Sequence, residues 1–228
     1  MTFVLGHRGC AGLEPENTIS AFKKAINLGV DLIEFDVRMT KDKRLVVIHD
    51  EKVDRISNGQ GYVEDFTLDE IKKLNLKKNE KIPTFEEAID FLKNEKPKIV
   101  IEIKEPETSN KILKIIREKE IENKVLIVSF WPEVLKKAKE INPKLKTGFL
   151  FKIKPKNWLK IVREIKADGI GAHFSLVDEK LVEICHKNNL KINTWTVNEI
   201  EDIERMIKFG VDIISSDFPN RVLEKLKK

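Results

Sequence analysis

The sequence predicts an α/β protein, a (β/α)8 TIM barrel with a small insertion after strand two. Three observations predict it. Eight short β-branched runs alternate with amphipathic stretches, the pattern of βα units around a parallel sheet. Eight parallel strands of the usual tilt close on themselves instead of remaining an open sheet. The length, 228 residues, fits one barrel, and no internal repeat, linker or low-complexity segment marks a second domain, so residues 1–228 read as a single domain.

Taken in order, the predicted strands are 3–6, 31–37, 98–104, 124–130, 146–151, 169–173, 191–197 and 212–216. The first is followed by a helix over 18–28, which Gly29 stops. After the second the rhythm breaks: residues 40–83 carry an extra extended run over 45–49 and a short helix over 68–74, and form the insertion. Pro83-Thr84 then opens the helix over 84–93 as first-turn punctuation. A helix over 109–119 follows strand three, and one over 132–140 follows strand four, where Ser129 precedes Trp131-Pro132 at its start. The fifth helix spans 155–164, and the sixth, over 178–187, is capped by Asp178. The seventh runs over 200–208 and is stopped by Gly210, and the last runs from 221 to the end.

Hydrophobic residues make up 41% and charged residues 36%, a globular but charge-rich balance that leaves ample chain for a core. The net charge of +5 is spread along the chain with basic and acidic residues interleaved, which reads as a solvated surface and not a nucleic-acid interface. Cys10 and Cys185 stand far apart in no metal-type spacing, so neither a disulfide framework nor a thiolate site is expected, and a reduced cytosol suits them. The opening MTFVLGHRGC lacks a basic leader ahead of an apolar core, and no uncharged run has the length of a membrane span. The expectation is a cytoplasmic protein with no integral membrane segment.

In such a barrel, functional groups stand at the carboxyl ends of the strands. Strand one runs into Gly6-His7-Arg8-Gly9, strand two holds Glu34 and Asp36, the inserted run ends in His49-Asp50, and strand three holds Glu102 and Lys104. With period-two alternation, Glu34 and Asp36 share a face, as do Glu102 and Lys104. Three inward carboxylates within ~5 Å repel by roughly 3 kcal/mol per pair at an effective dielectric of about 20, so a cation is the obvious compensation. An all-oxygen set of Glu34, Asp36 and Glu102 suits a hard divalent metal ion, Mg2+ or Ca2+, better than zinc. The alternative is a buried network in which these acids pair with Arg8, Arg38 and Lys104 and bind nothing.

Two histidines tip the balance toward a site. His7 and His49 each end an extended run, and cleavage of a phosphodiester needs one group to deprotonate the nucleophile and one to protonate the leaving oxygen. Arg8 and Lys104 would hold the phosphoryl group as substrate-binding cations. Trp195 is either an apolar wall of the pocket or barrel packing. His173 could line the same mouth, whereas His186, inside a helical pattern, is expected on the surface or in packing.

The stretch from Gly6 to Thr18, GHRGCAGLEPENT, together with Ile33-Glu34-Phe35-Asp36-Val37, Val47-Ile48-His49-Asp50, Asn58-Gly59-Gln60-Gly61, Glu102-Ile103-Lys104, Trp195-Thr196-Val197-Asn198 and Ser216-Asp217-Phe218-Pro219, resembles the glycerophosphodiester phosphodiesterase family over almost the whole chain. The resemblance implies hydrolysis of small-molecule glycerophosphodiesters, such as glycerophosphocholine, to sn-glycerol 3-phosphate and an alcohol. It also implies a barrel with a small insertion, a divalent ion on Glu34, Asp36 and Glu102, and His7 and His49 as acid and base in an order left open. A lysophospholipase D-type enzyme acting on lipid diesters is the alternative, ranked lower because no interfacial helix is obvious. A barrel that binds a phosphorylated ligand without catalysis is disfavoured, since every catalytic-type position holds a competent residue. The loops after strands seven and eight lack the glycines of a biosynthetic barrel's phosphate site.

Overall fold

The computed structural model describes residues 2–226. In chain order it runs β1 (Phe3–Gly6), α1 (Ile19–Leu28), β2 (Leu32–Met39), β3 (Leu45–Val47), α2 (Leu68–Lys73), α3 (Phe85–Leu92), β4 (Lys98–Ile103), α4 (Ser109–Glu118), β5 (Val125–Ser129), α5 (Pro132–Ile141), β6 (Lys146–Phe151), α6 (Trp158–Glu164), β7 (Gly169–His173), α7 (Glu179–Lys187), β8 (Lys191–Trp195), α8 (Ile200–Phe209), β9 (Ile213–Ser216) and α9 (Pro219–Leu226). The sheet order is β1-β9-β8-β7-β6-β5-β4-β2-β3, and β1 also pairs with β2, which closes the barrel. All the pairings are parallel except that of β3, which lies antiparallel on β2 as the start of the insertion.

Alternation along the strands decides what faces the helices and what faces the barrel axis. On β2 and β4 the residues Ile33, Phe35, Val37, Ile99, Ile101 and Ile103 join the large core between sheet and helices. Phe35 there packs against Phe22 of α1 and Phe85 of α3, with ring centroids 5.5 and 6.1 Å apart. The opposite face supplies Leu5, Leu32, Val100, Val128 and Leu150, an apolar plug inside the barrel. Continuing that inward row toward the carboxyl ends brings Glu34, Asp36 and Glu102, and Asp36 lies directly beside Glu102 in the β2–β4 register. The plug dries the barrel beneath the carboxylates, which are therefore buried at the bottom of its mouth.

The helix boundaries follow their punctuation. Thr84 and Glu87 form a reciprocal capping box at the start of α3, and Asp178 accepts from Leu181 N at the start of α7. Gly29 and Gly210 close α1 and α8 in the left-handed conformation. Ser129 is not itself the cap of α5; its hydroxyl accepts from Trp131 N and fixes the turn ahead of Pro132. The predicted helix over 155–164 begins only at Trp158, and the last helix begins at Pro219, not 221, because proline fits a first helical turn. The predicted strand over 191–197 ends at Trp195, and the inserted run over 45–49 is a strand only to Val47.

The insertion packs as a unit. Val46, Ile48, Val53, Val63, Ile71, Leu76 and Ile82 form its own apolar cluster, separate from the barrel core. Beyond β3, Ile48 N donates to Asp36 O and Arg38 Nε donates to His49 O, so the chain turns across the carboxyl end of β2.

Candidate active site

A cavity of about 230 Å³ opens at the carboxyl ends of the strands, lined among others by His7, Arg8, Glu34, His49, Glu102, Lys104 and Trp195. The tight loop after β1 is possible because residue 6 is glycine: a Cβ there would meet Gly9 O at 1.9 Å. Arg8 takes a positive φ of 49°, and its N–H donates to Glu34 Oε2 at 2.8 Å. His7 is held over the mouth by its Nδ1, 2.7 Å from Asp217 Oδ1, while Asn198 Nδ2 donates to Asp217 Oδ2 at 2.8 Å. His49 is anchored in the same way, with Nδ1 2.6 Å from Asp50 Oδ1. Because an ionised carboxylate only accepts, both Nδ1 atoms donate, and each neutral ring keeps its lone pair on Nε2.

The three carboxylates converge: Glu34, Asp36 and Glu102 each offer an oxygen, and these oxygens lie within 4.8 Å of one another. One oxygen of each is pinned by the protein. Arg8 N holds Glu34 Oε2, Asn17 Nδ2 holds Asp36 Oδ2 at 2.9 Å, and Lys104 Nζ holds Glu102 Oε1 at 2.6 Å. Glu34 Oε1 and Asp36 Oδ1 are buried without a hydrogen-bond partner among the described residues. Two orphaned buried oxygens in an all-oxygen set fit a hard divalent cation, which would complete them.

The electrostatics carry the same strain. Burial, reinforced by the negative charge of Asp36, pushes the Glu34 carboxyl up to about 8. Glu102 is also raised, by burial and by Asp36, against the pull of Lys104. For Asp36 burial works against ionisation, but Lys104, Arg8 and His49 outweigh it and hold the carboxyl well below the ordinary range. Burial lowers the His7 ring, yet Asp217 and Glu34 more than offset this and raise it above the usual imidazole value. Burial lowers His49, and Lys104 and Arg8 add to that against Asp36.

Several assignments shift in the folded chain. Arg38 does not join the acidic cluster: its Nη1 pairs with Glu105 Oε1 at 2.6 Å, outside the triad. Lys104 and Arg8 do touch it, with Lys104 Nζ 3.4 Å from Asp36 Oδ1 and Arg8 Nε 3.5 Å from Asp36 Oδ2. Both also line the cavity. Trp195 is part of the wall, standing edge-on to Phe130 with centroids 5.6 Å apart. His173 is absent from the lining and instead packs edge-on against Trp195, with centroids 5.5 Å apart at 90°. His186 sits on the exposed face of α7 against Asp212.

Asn17, Asp217, Asn198, Glu16 and Arg55 join the site only in the folded chain, although four of them lie in or beside the motifs given above. A short polar residue directly after a β-strand, such as Asp217 after β9, was the available signal.

The model of the Glycerophosphoryl diester phosphodiesterase family matches residues 7–221. A glycerophosphodiester phosphodiesterase of Caldanaerobacter subterraneus subsp. tengcongensis is 43% identical over 242 aligned positions, covering 100% of this chain and 98% of that protein. A glycerophosphodiester phosphodiesterase of Bacillus subtilis is 32% identical, covering 98% of this chain and 86% of that one. The crystal structure of a glycerophosphodiester phosphodiesterase from Thermotoga maritima superposes with a TM-score of 0.85 at 28% identity, covering 100% of this chain and 99% of that one. An Oleispira antarctica phosphodiesterase, solved with the product sn-glycerol-3-phosphate, shares the fold at a TM-score of 0.91 and 24% identity, covering 100% and 98% of the two chains. With its motifs in order along a closed barrel and a family match across nearly its whole length, the chain belongs to the glycerophosphoryl diester phosphodiesterase family.

Proposed function

We propose that this protein hydrolyses glycerophosphodiesters to sn-glycerol 3-phosphate and an alcohol, with His49 and His7 as base and acid and a divalent cation, Mg2+ or Ca2+, on Glu34, Asp36 and Glu102. The observation that carries the reading is that two histidines, each anchored through Nδ1 to a carboxylate, share one cavity with two members of a buried carboxylate triad. When bound, such an ion draws negative charge from the non-bridging phosphate oxygens and makes phosphorus more electrophilic.

The rings divide the proton work by their environments. His49, lowered by burial and by the cations beside it, is neutral near pH 7 and takes the proton of the glycerol 2-hydroxyl at Nε2. That oxygen attacks phosphorus, and the P–O bond to the alcohol breaks as His7, whose ring Asp217 and Glu34 raise above the usual imidazole value, donates its Nε2 proton to the departing oxygen. In the second step the roles reverse: neutral His7 takes a proton from water, which opens the cyclic glycerol phosphate, and His49 returns its proton to the 2-oxygen. Arg8 and Lys104 stand at the cavity as fixed positive charge for the phosphoryl oxygens, and Trp195 with Phe130 forms the apolar wall.

Purified protein with Mg2+ or Ca2+ and a panel of glycerophosphodiesters should release sn-glycerol 3-phosphate, read by a coupled dehydrogenase assay. A substrate lacking the 2-hydroxyl should not turn over. Absence of sn-glycerol 3-phosphate across the panel would reject the activity, and rapid cleavage of the deoxy substrate would reject the cyclic route.

Cation binding should be pH-dependent, because Glu34 must lose the proton that burial holds on it. Its folded value of about 8 lies above the ordinary 4.5, so in the cation-free protein this group's share of stability is complete below 4.5 and is lost as pH rises through 8. Cation affinity should rise over the same interval, with proton release seen by calorimetry in buffers of different ionisation enthalpy. A pH-independent affinity from 5.5 to about 8.5 would contradict this account of Glu34.

A second reading keeps the chemistry and extends the substrate to a lysophospholipid, whose free 2-hydroxyl allows the same attack. Exposed apolar side chains on the loops after β5 and β6 favour it: Phe130, Trp131 and Ile153, the last 83% exposed. No helix among the described residues is long and apolar enough to cross a membrane. We place the protein in the cytoplasm, where its two cysteines, both free and buried, stay reduced, and read residues 1–228 as one catalytic unit.

A further inference from the structure

The two catalytic histidines are each backed by an aspartate, but the aspartates are held by different parts of the chain. Asp217 has its second oxygen taken by Asn198, which follows β8 in the barrel itself. Asp50 has its second oxygen taken by Arg55, whose Nε donates to Asp50 Oδ2 at 2.5 Å. Arg55 belongs to the insertion, on a loop closed by Val53 N to Gly61 O and Ser57 N to Val53 O and rooted in the insertion's apolar cluster through Val53. The rest of its guanidinium forks onto the carboxylate of the first loop: Nη1 to Glu16 Oε2 at 2.6 Å and Nη2 to Glu16 Oε1 at 2.7 Å. Glu16 in turn accepts from Arg8 Nη1 at 2.8 Å. A continuous set of charge-assisted hydrogen bonds therefore runs from the His49 ring through Asp50, Arg55 and Glu16 to the Arg8 guanidinium.

We infer that Arg55 is a positioning residue for the reaction: by bridging Asp50 and Glu16 it fixes the tautomer and orientation of the His49 ring relative to Arg8. The inference rests on the reading of His49 as an acid–base group. The Asp50 side chain has other staggered rotamers, and the contact with the ring needs one that points Oδ1 at it. A guanidinium that spans two carboxylates in a planar fork removes the others, which a flexible ammonium does not. Arg55 is itself half-exposed, and a purely stabilising role would leave the tautomer of the His49 ring unchanged. The link also gives the insertion a second task besides carrying His49 to the cavity, since it supplies the clamp for one half of the acid–base pair.

The test compares wild-type, Arg55→Ala, Arg55→Lys, His49→Ala and the Arg55→Ala/His49→Ala double variant of the full chain, with Mg2+ and glycerophosphocholine or whichever diester turns over fastest. Arg55→Ala should lower kcat about 10- to 100-fold, the loss expected when the partner behind a functional histidine is released, with KM changed by less than about 2-fold. Arg55→Lys should recover little of it. In the His49→Ala background the same substitution should cost nothing further, because Arg55 acts through that ring. In nitrogen-15 spectra, the wild-type His49 ring should be the Nδ1–H tautomer, and Arg55→Ala should give a mixed tautomer signal. Equal losses in both backgrounds, an unchanged kcat or an unchanged tautomer signal would each overturn the inference. If the wild-type protein released no sn-glycerol 3-phosphate, the proposed activity would fall by itself, and the nitrogen-15 comparison would still decide what Arg55 does to His49.

Discussion

Replacing either His7 or His49 by alanine is expected to lower turnover by about 10²- to 10⁴-fold, the range of general acid–base assistance. Both rings line one cavity and, in the proposed mechanism, share a single proton cycle, so the double variant should be scarcely slower than the worse single variant. The carboxylate triad is untouched in each, and cation affinity measured by calorimetry should stay near the wild-type value. A diester with a p-nitrophenyl leaving group needs no proton on departure, so it should restore much of the rate to His7→Ala and little to His49→Ala. That contrast follows from the raised His7 ring and the lowered His49 ring. Equal rescue of both variants would mean that the acid and base roles are not divided in this way, and multiplying losses would mean that the rings act independently.

Excess chelator should bring turnover to background, and Mg2+ or Ca2+ should restore it. Glu34→Gln and Glu102→Gln preserve side-chain volume and remove one charge each from the triad. Both should fold, and both should bind the cation weakly. Glu34→Gln has a second, opposite signature. The wild-type carboxyl is pushed up to about 8 because its charge is buried beside Asp36, so without cation its neutral replacement should melt higher than wild type at pH 8.5, and the gap should shrink as pH falls and close below 4.5. Full activity in chelator would reject the requirement for a cation. Wild-type affinity in both glutamine variants would reject these residues as its ligands.

Much of the architecture could be read from local periodicity. Alternation on β2 and β4 already put Glu34, Asp36 and Glu102 on faces opposite Ile33, Phe35, Ile101 and Ile103, and a charge on the inward face of an apolar strand needs a cation or an ion pair to compensate it. Helix punctuation was legible for the same reason. A capping box at Thr84–Glu87 or a left-handed stop at Gly29 is a matter of residues within one turn of each other. Boundaries drifted where local rules are weakest, as at 155–164, where the residues before Trp158 form a turn and not a first helical turn.

What the sequence alone determined about this protein is its alternating βα plan, the inward row of carboxylates, and histidines just beyond two strands. What only the tertiary structure decided is which partners those groups keep. His7 and Asp217 are 210 residues apart and meet because β1 pairs with β9, and Asn17 reaches Asp36 because the first loop folds back over β2. Arg38 could equally have joined the triad by its place in the strand order, yet it turns to Glu105 and to the backbone of His49. The physical reason is one of range. A dihedral preference or a burial period is expressed within a few residues, whereas a buried charge chooses its partner by the distances that barrel closure leaves, and closure is a property of all the strands at once.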